Sequence, residues 1–102
     1  MHGRVARYDF NGDAHELARK AEAGLLPIFQ SQPGFKGYTV IATEGQIISF
    51  SAWDSEAEAE AANAVAADWV AGNLGGELDL KDGQVGEILL SSTLGVKAGA
   101  TA

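Results

Sequence analysis

Apolar residues alternate loosely over residues 2–10, where Val5, Tyr8 and Phe10 mark a first strand. Asn11-Gly12 is a turn signal, and Asp13 with Glu16 three positions later has the form of a capping box. Leu17, Ala21, Leu25, Ile28 and Phe29 then recur at helical spacing, which leaves Glu16, Arg19, Lys20 and Gln30 for solvent. Pro27 falls inside this helix, removes one backbone donor and should kink or tighten its last turn. The helix is expected to end by Gln32, before Pro33-Gly34. Two strands follow, about residues 35–43 and 46–53, joined at Glu44-Gly45 by a link short enough to require a hairpin. Asp54-Ser55 caps a second helix, with Ala61, Ala62, Val65 and Trp69 as its expected apolar face and Gly72 and Asn73 one turn on. Leu74-Gly75-Gly76 stops it. The acidic stretch 77–82 reads as irregular, and a last strand is predicted at about residues 84–93. The order is β-α-β-β-α-β: an α+β, ferredoxin-like domain with a four-stranded antiparallel sheet and two helices on one face.

Two helices cover only one face of such a sheet, and a solvated opposite face would alternate cleanly between apolar and polar residues. Here the strands carry adjacent apolar pairs instead: Val40-Ile41, Ile47-Ile48 and Ile88-Leu89-Leu90. Both faces call for burial. A homodimer joined through the open sheet face is the expected partner arrangement.

Charge narrows the partner classes. The chain has 102 residues, 46% hydrophobic and 21% charged, an ordinary globular balance for one domain. Seven basic against 14 acidic residues leave a net charge of −7. All of it arises in residues 52–102, because residues 1–51 hold as many basic groups as acidic ones. An acidic chain lacks the basic footprint that nucleic acid or an anionic membrane surface requires, so neither is an expected partner. The strand at 46–53 carries no basic residue, which sets it apart from RNA-recognition domains of the same element order. Without cysteine, the chain has no disulfide, thiolate metal site or Cys nucleophile. No apolar segment approaches the length of a membrane span or the core of a signal peptide, so a cytoplasmic location is expected. Residues 1–93 are expected to form the domain and residues 94–102, rich in Gly and Ala, a flexible tail.

No complete catalytic motif is present. His2 and His15 are the only histidines and do not form a metal-ligand pair, so no metal site and no cofactor are expected. His15 lies off the apolar stripe of the first helix, where a solvated residue is the simpler reading; facing a cleft, it would suit proton transfer near neutral pH. Glu56, Glu58 and Glu60 are splayed around the second helix and offset its positive end rather than forming a carboxylate pair. No Gly-x-Ser-x-Gly elbow accompanies the serines. Trp69 with Asn73 one turn along could bind an aromatic ring by stacking and an amide hydrogen bond; the plainer alternative makes Trp69 core and Asn73 a helix-end residue. Tyr8, Phe29 and Tyr38 are core by their type and become ligand-binding candidates only if a pocket forms beside them.

Three segments resemble the dimeric α/β-barrel superfamily, in its antibiotic-biosynthesis-monooxygenase-like branch. They are Gln32-Pro33-Gly34-Phe35-Lys36-Gly37-Tyr38, Phe50-Ser51-Ala52-Trp53-Asp54-Ser55-Glu56-Ala57, and Gly86-Glu87-Ile88-Leu89. The resemblance implies a dimer whose sheets face each other. Activities in the superfamily include cofactor-independent oxygenation of polycyclic phenols, haem degradation and lactone isomerisation. Haem degradation needs a histidine late in the second helix, and this chain has none after His15. The quinone-forming oxygenases use Asn, Trp and Tyr, and Asn63, Trp69, Asn73, Tyr8 and Tyr38 offer those types without matching that branch in order and spacing. The expected function is a cofactor-independent monooxygenase-like enzyme acting on a small hydrophobic aromatic, with His15, Trp69 and Asn73 as catalytic candidates and Tyr8, Phe29 and Tyr38 against the ligand. The alternative is a non-catalytic ligand-binding or assembly module on the same dimer.

Overall fold

The structure, a computed structural model, describes residues 1–99. Its elements run β1 (His2–Phe10), α1 (Ala14–Ser31), β2 (Phe35–Ala42), β3 (Gln46–Trp53), α2 (Glu56–Asn73) and β4 (Leu78–Glu87). The strands form one antiparallel sheet in the order β2-β3-β1-β4. This is the ferredoxin-like arrangement expected from the chain pattern.

Each helix begins where a short polar side chain can take the orphan backbone donors of the first turn. Asp13 accepts from the His15 amide at 2.9 Å, while Glu16 pairs with Arg19 rather than closing a capping box. At α2, Ser55 Oγ accepts from the Glu58 amide at 3.2 Å and donates to the Glu58 carboxylate at 3.0 Å. Pro27 sits within a continuous α1, whose buried face is Leu17, Ala21, Leu25 and Phe29.

Two expectations are corrected. The last strand starts six residues earlier than predicted, so the acidic stretch is sheet and Leu89 and Leu90 lie outside it, exposed. Pairing with β1 fixes this, from Phe10 opposite Leu78 to His2 opposite Glu87, with a bulge where Lys81 is passed over. The acids are tolerated because cations answer them: Lys81 pairs with Asp79 at 2.8 Å and Arg7 with Asp82 at 3.5 Å. The second correction is the buried face of α2, which is Ala59, Ala62, Ala66 and Val70. Ala61 is exposed, and Trp69 is half-buried at the edge of that stripe.

Helix-facing and open-facing residues separate cleanly through the strand register. Arg4, Ala6 and Tyr8 of β1 share the helix side with Ile47, Ser49, Ser51 and Trp53 of β3 and with Tyr38 and Val40 of β2. At one end Trp53 and Phe29, both fully buried, meet edge to face at 5.3 Å, with Phe35 and Tyr38 around them. The opposite face presents Val5, Arg7, Thr39, Ile41, Ile48 and Phe50. Val5 and Ile41 there are 40% and 51% exposed. After β4, Ser91 and Val96 close a tight turn through two backbone hydrogen bonds of 2.8 and 3.0 Å. The last three residues of the expected tail, 100–102, lie outside the described residues. No helix among the described residues is long and apolar enough to cross a membrane.

Candidate functional site

Strand alternation sends Arg4 and Tyr8 into the space between sheet and helices, four residues apart on the same side of β1. Arg4 is 1% exposed, which is unusual for a charged side chain. Its Nε donates to Asn63 Oδ1 of α2 at 3.0 Å, one terminal nitrogen to Ser49 Oγ of β3 at 3.3 Å, and the other to the Tyr8 hydroxyl at 3.1 Å. All three acceptors are neutral. None of the ion pairs among the described residues includes Arg4. Taking a guanidinium out of water costs several kcal/mol before compensation, and neutral hydrogen bonds return only part of that.

Tyr8 and Ser49 also line a cavity beneath α1 and α2, together with Tyr38, Trp69, Ile47, Val40 and apolar residues of both helices. Its volume is about 20 Å³, room for a single water molecule. Outside it, a groove of about 370 Å³ runs between α1 and β2, lined by His15, Arg19, Glu22 and Leu26. Groove and cavity share Ala18, Ala21, Tyr38 and Val40 as a common wall. Burial pushes the Tyr38 hydroxyl up from its ordinary value near 10 to about 12, against the opposing field of Arg4. Tyr38 therefore stays protonated at neutral pH and can donate but not accept a proton.

The residues singled out from sequence divide in two. Tyr8, Tyr38 and Trp69 converge on the cavity. Trp69 is held there by Gly24 of α1, where any Cβ would collide with the indole. His15 reaches only the outer groove and is exposed. Phe29 belongs to the aromatic cluster and does not line the cavity; its edge-to-face neighbour Tyr38, at 5.1 Å, does. Asn73 is exposed and donates to the Trp69 carbonyl at 2.8 Å, as a helix-end residue would. Arg4 and Ser49 carry the site's polar chemistry without having been singled out. The available signal was an arginine in phase with the buried side of β1. Among the described residues no group of three or more His, Asp or Glu side chains is placed to hold a metal ion.

No family model and no curated protein matches the chain. Solved structures do. SnoaB, a cofactor-independent oxygenase from Streptomyces nogalater, superposes with a TM-score of 0.69 at 17% identity, covering 89% of this chain and 95% of SnoaB. The ActVA-Orf6 monooxygenase of Streptomyces coelicolor, in complex with nanaomycin D, gives 0.60 at 22% identity, over 88% and 92% of the two chains. Rv0793 from Mycobacterium tuberculosis gives 0.65 at 14% identity, over 89% and 97%. The chain thus shares the ferredoxin-like fold of these proteins.

Proposed function

We propose that this protein is a cofactor-independent monooxygenase-like enzyme that takes a small hydrophobic aromatic between its helices and sheet and works as a homodimer. The observation that carries the reading is the hydroxyl-lined, otherwise apolar cavity beside Trp69, in a fold shared with cofactor-independent oxygenases. In the reaction envisaged, a phenolic or anthrone-like substrate loses a proton to become an electron-rich carbanion, which reacts directly with O₂. One oxygen atom ends in a new carbonyl and the other leaves as water with the two hydrogens of the oxidised carbon. The protein would position the ring and stabilise negative charge on the substrate oxygen. His15, at the groove, is the candidate proton acceptor; Tyr8, whose oxygen accepts from Arg4, and Tyr38, held protonated, are donors. Asn73 serves this scheme only by fixing the end of the helix that carries Trp69.

A specific observation supports the alternative, a non-catalytic binding or assembly module. A cavity of about 20 Å³ admits no aromatic ring until α1 or Tyr38 yields. Oxygen consumption with anthrone-type substrates separates the two. The enzyme reading expects uptake at one O₂ per substrate, lowered at least tenfold in Trp69→Ala and in His15→Ala. Uptake unchanged in both variants removes these residues from the mechanism, and no uptake with retained ligand binding establishes the module.

A further inference from the structure

We propose that Arg4 makes the inner cavity an oxyanion site, selective for the ionised form of a phenol or enol over the neutral form. The inference deepens the reading of the same cavity and relies on it only for the aromatic ring. A guanidinium has five N–H donors and a full charge; here three donors meet neutral oxygens and, among the described residues, no carboxylate answers the charge. In a chain of net charge −7, acids are abundant, yet none is placed on the most buried cation. The missing negative charge is therefore one that a ligand supplies.

The geometry says where. Arg4 lies behind Tyr8 and Ser49, which face the cavity, and donates to both of their oxygens. A hydroxyl that accepts from Arg4 retains its own proton for donation. Tyr8 and Ser49 thus form a pair of donors, backed by a positive charge, at the wall of an otherwise apolar space. A cavity of about 20 Å³ holds one oxygen atom and excludes bulk water. The attached ring then lies on the groove side, in the 370 Å³ space, once the shared wall of Ala18, Ala21, Tyr38 and Val40 yields to admit it. Low dielectric around the buried charge magnifies the preference for an anion. Tyr38, the remaining titratable group at the cavity, is neutral and places no competing anion there. Arg4 is a positioning residue in this arrangement, because it acts through Tyr8 and Ser49.

The test uses para-nitrophenol, whose ionised form absorbs visible light, titrated against pH with and without the full-length protein. The expected result is at least tenfold tighter binding of the phenolate, read as a fall of about one unit in the bound dye's apparent pKa. Arg4→Met, similar in length and uncharged, should abolish the preference, and Tyr8→Phe should weaken it. Absent binding, equal affinity for the two forms, or a preference that survives in Arg4→Met would overturn the proposal. If Arg4→Met shows no cooperative unfolding transition, the double variant Tyr8→Phe/Ser49→Ala decides, because it keeps the cation; an undiminished preference there also overturns it. The dye is not oxidised in this assay. A protein that selects the phenolate yet consumes no oxygen with anthrones keeps this inference and loses the oxygenase reading.

Discussion

Trp69 and Gly24 show how one residue's shape is set by another on a different helix. The indole occupies the space where a side chain on residue 24 would begin. Gly24→Ala gains roughly 1 kcal/mol of helix propensity and meets an overpacking cost of about 1–3 kcal/mol, so the clash should prevail. The expected outcome is a lower urea midpoint than wild type by about 1 kcal/mol of stability; an unchanged or higher midpoint contradicts it. Tyr38 makes a second prediction at this scale. Its folded pKa, about 12, lies above the value near 10 expected in the unfolded chain, so the folded state holds the proton more tightly. The contribution is complete below about pH 10 and is lost as pH rises toward 12. Urea titrations across that window should show stability falling, and Tyr38→Phe should flatten the fall. Arg4 was legible in the sequence only as a charged residue in a half-apolar strand. That it is buried without a carboxylate depends on Asn63 and Ser49, 59 and 45 residues away in the chain.

At the scale of elements, local signals located most boundaries. Asp13 and Ser55 begin their helices, and Glu44-Gly45 separates two paired strands, because caps and turns act over a few residues. The Ser55 cap is only partly buried and can be changed without disturbing the core. Ser55→Ala should cost about 1 kcal/mol in chemical denaturation, through the lost bond to the Glu58 amide. Two elements were misread for one reason: their partners outweigh their own patterns. The segment 78–83 carries acids and a glycine, yet pairs along β1 because Leu78 and Leu80 fall opposite Phe10 and Tyr8. In α2 the sequence drew the eye to Trp69, but alanines at 59, 62 and 66 are what bring the helix close to the sheet. A large side chain in that stripe would hold the helix away. Trp69 instead fills the gap between the helices.

For the whole molecule, the net charge and the open sheet face fit together. Most of the surplus acids lie on or beside α2, while Val5, Ile41, Ile48 and Phe50 stand on the face without helices, with Asp79 and Asp82 of β4 at its edge. A second copy on that face would bury these side chains and leave most of the acids in water. Val5→Asp alters a residue already 40% exposed, so it should leave the folded protomer intact while placing a charge in the proposed interface. Sedimentation equilibrium should find wild type dimeric at micromolar concentration and the variant monomeric. A monomeric wild type would remove the dimer.

The sequence by itself determined the element order, the caps, the hairpin and the two-faced character of the sheet, because these depend on periodicity and on chemistry within a few residues. Only the tertiary structure decided the start of the last strand, the buried face of the second helix and which side chains line the inner cavity. Each of these depends on which distant residues become neighbours. His15 lines the outer groove rather than the inner cavity, and Asn73 bonds to the end of its own helix. Arg4, with no motif around it, ties Asn63, Ser49 and Tyr8 together, because a buried charge acquires meaning only from the groups that surround it.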